Sequence, residues 1–147
     1  MAMISKAEAN WSGDLLGGGG SVTATSSGIF SDQAITWRAR TEASEGKTSP
    51  EELLASAHAA CYSMAVSHEL AQAGFVPERV QTSVMVTADK TDSGWTVLSS
   101  AITVKAKVPG ADEALFLEKA NAAKGGCPIS KALSDSVEIT LDATLEA

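Results

Sequence analysis

The segment from Ser49 to Gly74 constrains the fold of this chain more than any other. Ser49 can cap a helix, Pro50 suits the first helical position, and Glu52 completes a capping box. Helical spacing then runs from Leu53 to Ala73 and stops at Gly74. The side chains are small, with Ala55, Ser56, Ala57, Ala59, Ala60 and Ala65 among them, so neighbouring elements can approach closely. The segment predicts a central, buried helix with Leu53, Ala57, Ala60, Cys61, Met64 and His68 along one face.

The segments around it read mainly as strands. Ala9–Gly13 is a short candidate strand, Gly17–Gly20 reads as a flexible hairpin loop, and Ser21–Thr25 follows as a second strand. Ala34–Arg40 alternates as a third. The glycine run precedes no helix and lacks the Lys-Ser/Thr of a phosphate-binding loop. Val80–Thr91 and Trp95–Val108 alternate around an Asp92-Ser93-Gly94 turn. Asp112–Lys124 predicts a second long helix. Gly125-Gly126-Cys127-Pro128 opens a short helical stretch ending at Leu133, and Val137–Leu145 alternates as the last strand. The order βββ-α-ββ-α-α-β, with strands grouped in hairpins, predicts an α+β fold of antiparallel sheets rather than a doubly wound one.

With 147 residues the chain suits one domain, residues 1–147, and can bury a core without disulfides. A net charge of −7 argues against nucleic-acid partners and against anionic membranes. No apolar run is long enough for a membrane helix, and Met1–Lys6 leads into Ala-Glu-Ala-Asn rather than a secretory core. The expectation is a cytoplasmic, reducing location, where disulfides are usually catalytic or redox-sensing. The only two cysteines, Cys61 and Cys127, are far apart and form no C-x-x-C motif.

Cys61 lies mid-helix, beyond the reach of the helix dipole, and burial would raise its pKa. A reactive Cys61 therefore needs a cation from elsewhere, and Arg38 and Arg40 are the candidates. Cys127 sits before Pro128 at a helix start, where a thiol ionises more easily and is usually accessible. Glu51 suits the first turn of its helix as a dipole partner. His58, three residues before Cys61, could act as a base, although a packed, hydrogen-bonded histidine is the commoner case.

Two long motifs carry a family resemblance. Ser49-Pro50-Glu51-Glu52-Leu53-Leu54 followed by Ala57-His58-Ala59-Ala60-Cys61-Tyr62-Ser63-Met64 resembles the first cysteine segment of the OsmC/Ohr thiol peroxidases, in particular the OsmC branch. Lys124-Gly125-Gly126-Cys127-Pro128-Ile129-Ser130 resembles the second, and Trp11-Ser12-Gly13-Asp14 fits near the start. The resemblance implies an OsmC-like fold with a central helix, assembled as an intertwined homodimer with two sites at the subunit interface. Cys61 matches the peroxidatic cysteine and Cys127 the resolving one. Arg40 matches the activating arginine when Glu42–Gly46 is aligned without a gap, and Glu51 the glutamate that holds it.

Glu51 and Cys61 are ten residues apart on one helix, roughly 15 Å along its axis, so if Glu51 and Arg40 act beside Cys61 as the resemblance implies, at least one of them most simply comes from a second subunit. The implied reaction is thiolate attack on an organic hydroperoxide, or on hydrogen peroxide. A Cys61 sulfenic acid, a Cys61–Cys127 disulfide and recycling by a lipoyl-type dithiol follow, within an oxidative or osmotic stress response. No metal, haem or flavin cofactor is implied. Two other readings stand beside it: a redox-sensing dithiol protein that does not turn over peroxide, and a binding module on the same fold.

Overall fold

A computed structural model describes residues 1–147, which divide into two compact units, Met1–Leu53 and Leu54–Ala147. In the first, β1 (Glu8–Ser12), β2 (Gly19–Thr23) and β3 (Gln33–Ile35) form an antiparallel sheet in that order. The glycine run is only partly a loop. Gly19 and Gly20 are strand residues, and a Cβ at Gly20 would collide with the Asn10 backbone of β1. Glycine is needed there for close strand approach, not flexibility. The third predicted strand is also cut short. It ends at Ile35, Thr36 accepts from the Ala39 N–H as an N-cap, and Trp37–Thr41 is a helical turn, α1. The alternation of Ala34–Arg40 concealed this cap because threonine suits both a strand and a helix N-terminus.

The long helix α2 spans Pro50–Gln72, and Ser49 accepts from the Glu52 N–H at its start. Gly74, at φ 87°, provides the left-handed stop.

The second unit is built on a three-stranded sheet of β4 (Arg79–Thr91), β5 (Gly94–Lys107) and β6 (Glu138–Glu146), with β5 in the centre. β4 and β5 form the predicted antiparallel hairpin. The last strand departs from the antiparallel expectation: β6 pairs parallel to β5, with Leu141 opposite Ile102 and Ala143 opposite Val104. A parallel neighbour needs a long crossover, supplied by α3 (Glu113–Gly126) and α4 (Pro128–Leu133).

Ile102, Val104 and Ala106 of β5, with Val108 just beyond it, are buried with Phe116, Ala120 and Ala123 of α3 and with Tyr62, Val66 and Leu70 of α2. Each large side chain in that core contributes about 1.5–3 kcal/mol by leaving water. The buried stripe of α2 is thus His58, Tyr62, Val66 and Leu70, spaced four apart, and not the predicted small-residue face. The larger side chains fill the core. Ala57, Ala60 and His68 are exposed, and Met64 is 68% exposed.

Candidate active site

The two cysteines meet in the second unit, both as free thiols. α2 carries Cys61 one turn beyond His58, and Cys127 is the residue that precedes α4, its N–H still bonded to the Ala123 carbonyl at 2.9 Å. Their exposure is the reverse of the sequence expectation. Cys127 is fully buried, packed among the core side chains, whereas Cys61 is partly exposed. Cys61 lines an open cavity of about 340 Å³ with Met64, Ala65, His68, Glu69, Ala123, Gly126 and Pro128.

The thiols influence each other's acidity, and their surroundings push the two pKa values apart. Burial raises the Cys61 pKa, and the neighbouring Cys127 raises it further against a smaller pull from the Ile129 N–H. Burial also raises Cys127, but the Ser130 N–H, the Cys61 thiol, the Ser130 hydroxyl and the Ile129 N–H outweigh it, so Cys127 ends below the usual thiol value. Within the unit the more acidic thiol is therefore the inaccessible one. The accessible thiol needs further electrostatic help to become a thiolate.

Between the two cysteine-bearing helices lies a polar bridge that sequence reasoning did not find. His58 is fully buried. Its Nδ1 lies 2.7 Å from the Ser100 hydroxyl on β5, and its Nε2 lies 2.8 Å from the Ser130 hydroxyl on α4. Desolvation lowers its pKa, which keeps the ring neutral. A histidine in the Tyr62/Val66/Leu70 stripe had to find partners, since buried polar groups are almost always bonded. Nothing in the sequence pointed to Ser100 and Ser130. Beside it, the Tyr62 hydroxyl donates to the Ala120 carbonyl at 3.0 Å, and burial raises its pKa so that it stays a phenol.

The first unit holds the other two candidates. Arg40 on α1 grips Glu51 at the start of α2 with its fork: Nε lies 2.9 and 3.1 Å from the two carboxylate oxygens, and one terminal nitrogen lies 2.6 Å from Oε1. Such a two-pronged pair fixes the orientation of the guanidinium. Arg38 instead meets Glu42 and Glu45 on the surface. The Arg40 guanidinium also lies over the Trp37 ring, 5.5 Å from its centre. It borders a mainly apolar cavity of about 310 Å³ lined by Trp11, Leu15, Ile35, Thr36, Trp37 and Pro50. Sequence reasoning missed this cavity too. The available signal was that two of only three tryptophans, Trp11 and Trp37, fall in the first 40 residues.

No helix is long and apolar enough to cross a membrane.

Comparison with known proteins supplies the context. Residues 43–142 match the family described as OsmC-like protein. The chain is 41% identical over its full length, and over the full length of the relative, to the peroxiredoxin OsmC of Escherichia coli (strain K12). It is 31% identical to the organic hydroperoxide resistance protein OhrA of Bacillus subtilis (strain 168), over 76% of this chain and 77% of that one. Among solved structures, it superposes on an OsmC-like protein from Mycoplasma pneumoniae with a TM-score of 0.75, at 15% identity over the whole of both chains. It superposes on OhrB of Bacillus subtilis with a TM-score of 0.72, at 24% identity over 96% of this chain and 98% of that one. With a matching family model over most of its length and a full-length relative at 41% identity, this chain belongs to the OsmC-like family.

Proposed function

We propose that this protein is a cysteine-based peroxidase that reduces organic hydroperoxides, and hydrogen peroxide as well. Residues 1–147 act as one functional domain in the cytoplasm. The observation that carries the reading is the thiol pair: Cys61 faces an open cavity and Cys127 lies buried nearby, close enough to shift its acidity. A peroxide can approach Cys61 but not Cys127. The relatives' names, peroxiredoxin and organic hydroperoxide resistance protein, support the same chemistry.

In this reading the Cys61 thiolate attacks the O–O bond. An alcohol or water leaves, and Cys61 becomes a sulfenic acid. Cys127 condenses with it to a disulfide, and a lipoyl-type dithiol restores both thiols by exchange. The raised pKa of Cys61 makes a nearby guanidinium necessary. The Arg40–Glu51 pair is the proposed source: Arg40 stabilises the thiolate and the developing charge on the leaving oxygen, and Glu51 fixes its fork. The apolar cavity beside Arg40 suits an alkyl group, which supports organic hydroperoxides as substrates.

The protein works as a homodimer in this account, with the exposed Ala57, Ala60 and Met64 face of α2 meeting its two-fold mate. The Arg40–Glu51 pair of one subunit then serves Cys61 of the partner. Mixed dimers of a Cys61→Ser chain and a Glu51→Ala chain test this arrangement. Recovery of one working site per dimer is expected, and no recovery would rule out a shared site. For the activity itself, stopped-flow consumption of an organic hydroperoxide with dihydrolipoamide as reductant is expected to be catalytic. Failure to turn over any hydroperoxide with a dithiol present would leave the redox-sensing reading in its place.

A further inference from the structure

The mechanism above leaves the buried His58 unused, and its hydrogen bonds run in a line. The Ser100 hydroxyl meets His58 Nδ1 at 2.7 Å and His58 Nε2 meets the Ser130 hydroxyl at 2.8 Å, while Ser130 stands one turn after Cys127 and helps lower its pKa. All four residues are buried. The spacing also links the two cysteines. Cys61 follows His58 by three residues on α2, and Ser130 follows Cys127 by three on α4, so one His58–Ser130 bond pins both elements.

We propose that His58, acting through Ser130, is the positioning and proton-accepting residue for disulfide closure by Cys127. The inference rests on the proposed role of Cys127. In closure the Cys127 sulfur supplies an electron pair to the Cys61 sulfur. The S–S bond forms and the S–O bond of the sulfenic acid breaks. The S–H proton passes to the Ser130 oxygen while the Ser130 proton passes to His58 Nε2. Hydroxide leaves into the open Cys61 cavity and takes a proton from solvent. The imidazolium then returns its extra proton through Ser130, which also lines a second cavity of about 440 Å³ with Lys124, Lys131 and Glu138. The net change is one disulfide and one water, with no outside oxidant.

For the relay to run this way, His58 carries its proton on Nδ1 and donates it to Ser100, leaving Nε2 to accept. Burial keeps the ring in the neutral form that can take a proton. The titratable groups facing Cys127 are Cys61 and Tyr62 of α2. α3 contributes Ala120 and Ala123 to that part of the core, and β5 contributes Ser100. Lys124, Lys131 and Glu138 stand around the Ser130 cavity. None of these besides His58 has a free lone pair directed at the Ser130 hydroxyl in the hydrogen bonds observed.

The test is single-turnover oxidation of the full-length protein with one equivalent of an organic hydroperoxide from pH 6 to 9. Sulfenic acid is followed by dimedone trapping and the disulfide by quenched mass analysis. His58→Gln keeps hydrogen-bonding capacity but cannot take a proton. It should close the disulfide about 10-fold or more slowly near neutral pH, with sulfenic acid accumulating. The deficit should shrink as rising pH ionises Cys127 directly, whereas a merely structural loss would be the same at every pH. Ser130→Ala should behave likewise. Ser100→Ala, which removes only the hydroxyl orienting the ring, carries the same test if His58→Gln does not fold. Closure at the wild-type rate in His58→Gln, or a deficit independent of pH, overturns the relay alone. Absence of a Cys61–Cys127 disulfide in the wild-type protein overturns both the relay and the reading it rests on.

Discussion

Acid sensitivity follows from the neutral state of His58. In the unfolded chain its imidazole titrates near the ordinary value of about 6.5. In the folded chain burial lowers the pKa, while both ring nitrogens are held by serine hydroxyls at 2.7 and 2.8 Å. The unfolded state therefore binds the proton first as pH falls. This group's contribution to stability is complete above about pH 6.5 and drains away below it, at no more than about 1.4 kcal/mol per pH unit for one proton. In His58→Gln the amide can still bond the two serines but fits them less well, at a cost of up to about 1 kcal/mol each, and nothing titrates there. The variant should be the less stable protein at pH 7.5. The gap to wild type should then narrow steadily between pH 6.5 and 5. Urea midpoints at fixed protein concentration measure this, and the difference between the two proteins cancels the carboxylates they share. A gap that stays constant from pH 7.5 to 5 would refute a buried, neutral His58.

Three further outcomes are expected. Arg40→Lys keeps the charge but loses the fork on Glu51, and kcat/KM for hydroperoxide should fall about 100-fold while the protein stays folded; unchanged kinetics would remove Arg40 from the site. Trp37→Ala opens the apolar cavity and should raise KM for a bulky organic hydroperoxide while barely altering that for hydrogen peroxide, as steady-state kinetics with both substrates would reveal. Gly20→Ala drives a Cβ into the Asn10 backbone and should separate β1 from β2, lowering the thermal midpoint and unprotecting β1 amides in hydrogen exchange; an unchanged midpoint would contradict the close pairing.

The sequence was legible wherever local chemistry and periodicity agreed. Ser49, Pro50 and Gly74 bounded α2 to within a residue or two, and alternation marked β4, β5 and β6. It was less legible where one residue type serves two structures. Thr36 capped a helical turn that alternation had read as strand, and Gly19 and Gly20 entered a strand that composition had read as loop. The face of α2 was misjudged for a related reason. Small side chains signal close approach, but inside one chain the large ones at His58, Tyr62, Val66 and Leu70 claimed the core.

The sequence offered four candidate residues but not their arrangement. The preference for Arg40 over Arg38 rests on the family resemblance alone, and no local pattern foretells that Arg40 pairs with Glu51. That Cys127 is the buried thiol and Cys61 the open one depends on how α4 packs, which no local pattern encodes. The Ser100–His58–Ser130 bridge joins residues 42 and 72 positions apart, a separation at which a lone serine carries no signal.

The account depends most on which sulfur meets the peroxide. One equivalent of tert-butyl hydroperoxide added to the Cys127→Ser protein with dimedone present, followed by peptide mass spectrometry, reads this out. The prediction is one dimedone adduct per chain, on Cys61, while Cys61→Ser treated in the same way carries none and turns over no peroxide. An adduct on Cys127 in the Cys61→Ser protein, or peroxide turnover by that variant, would contradict the assignment of Cys61 as the nucleophile.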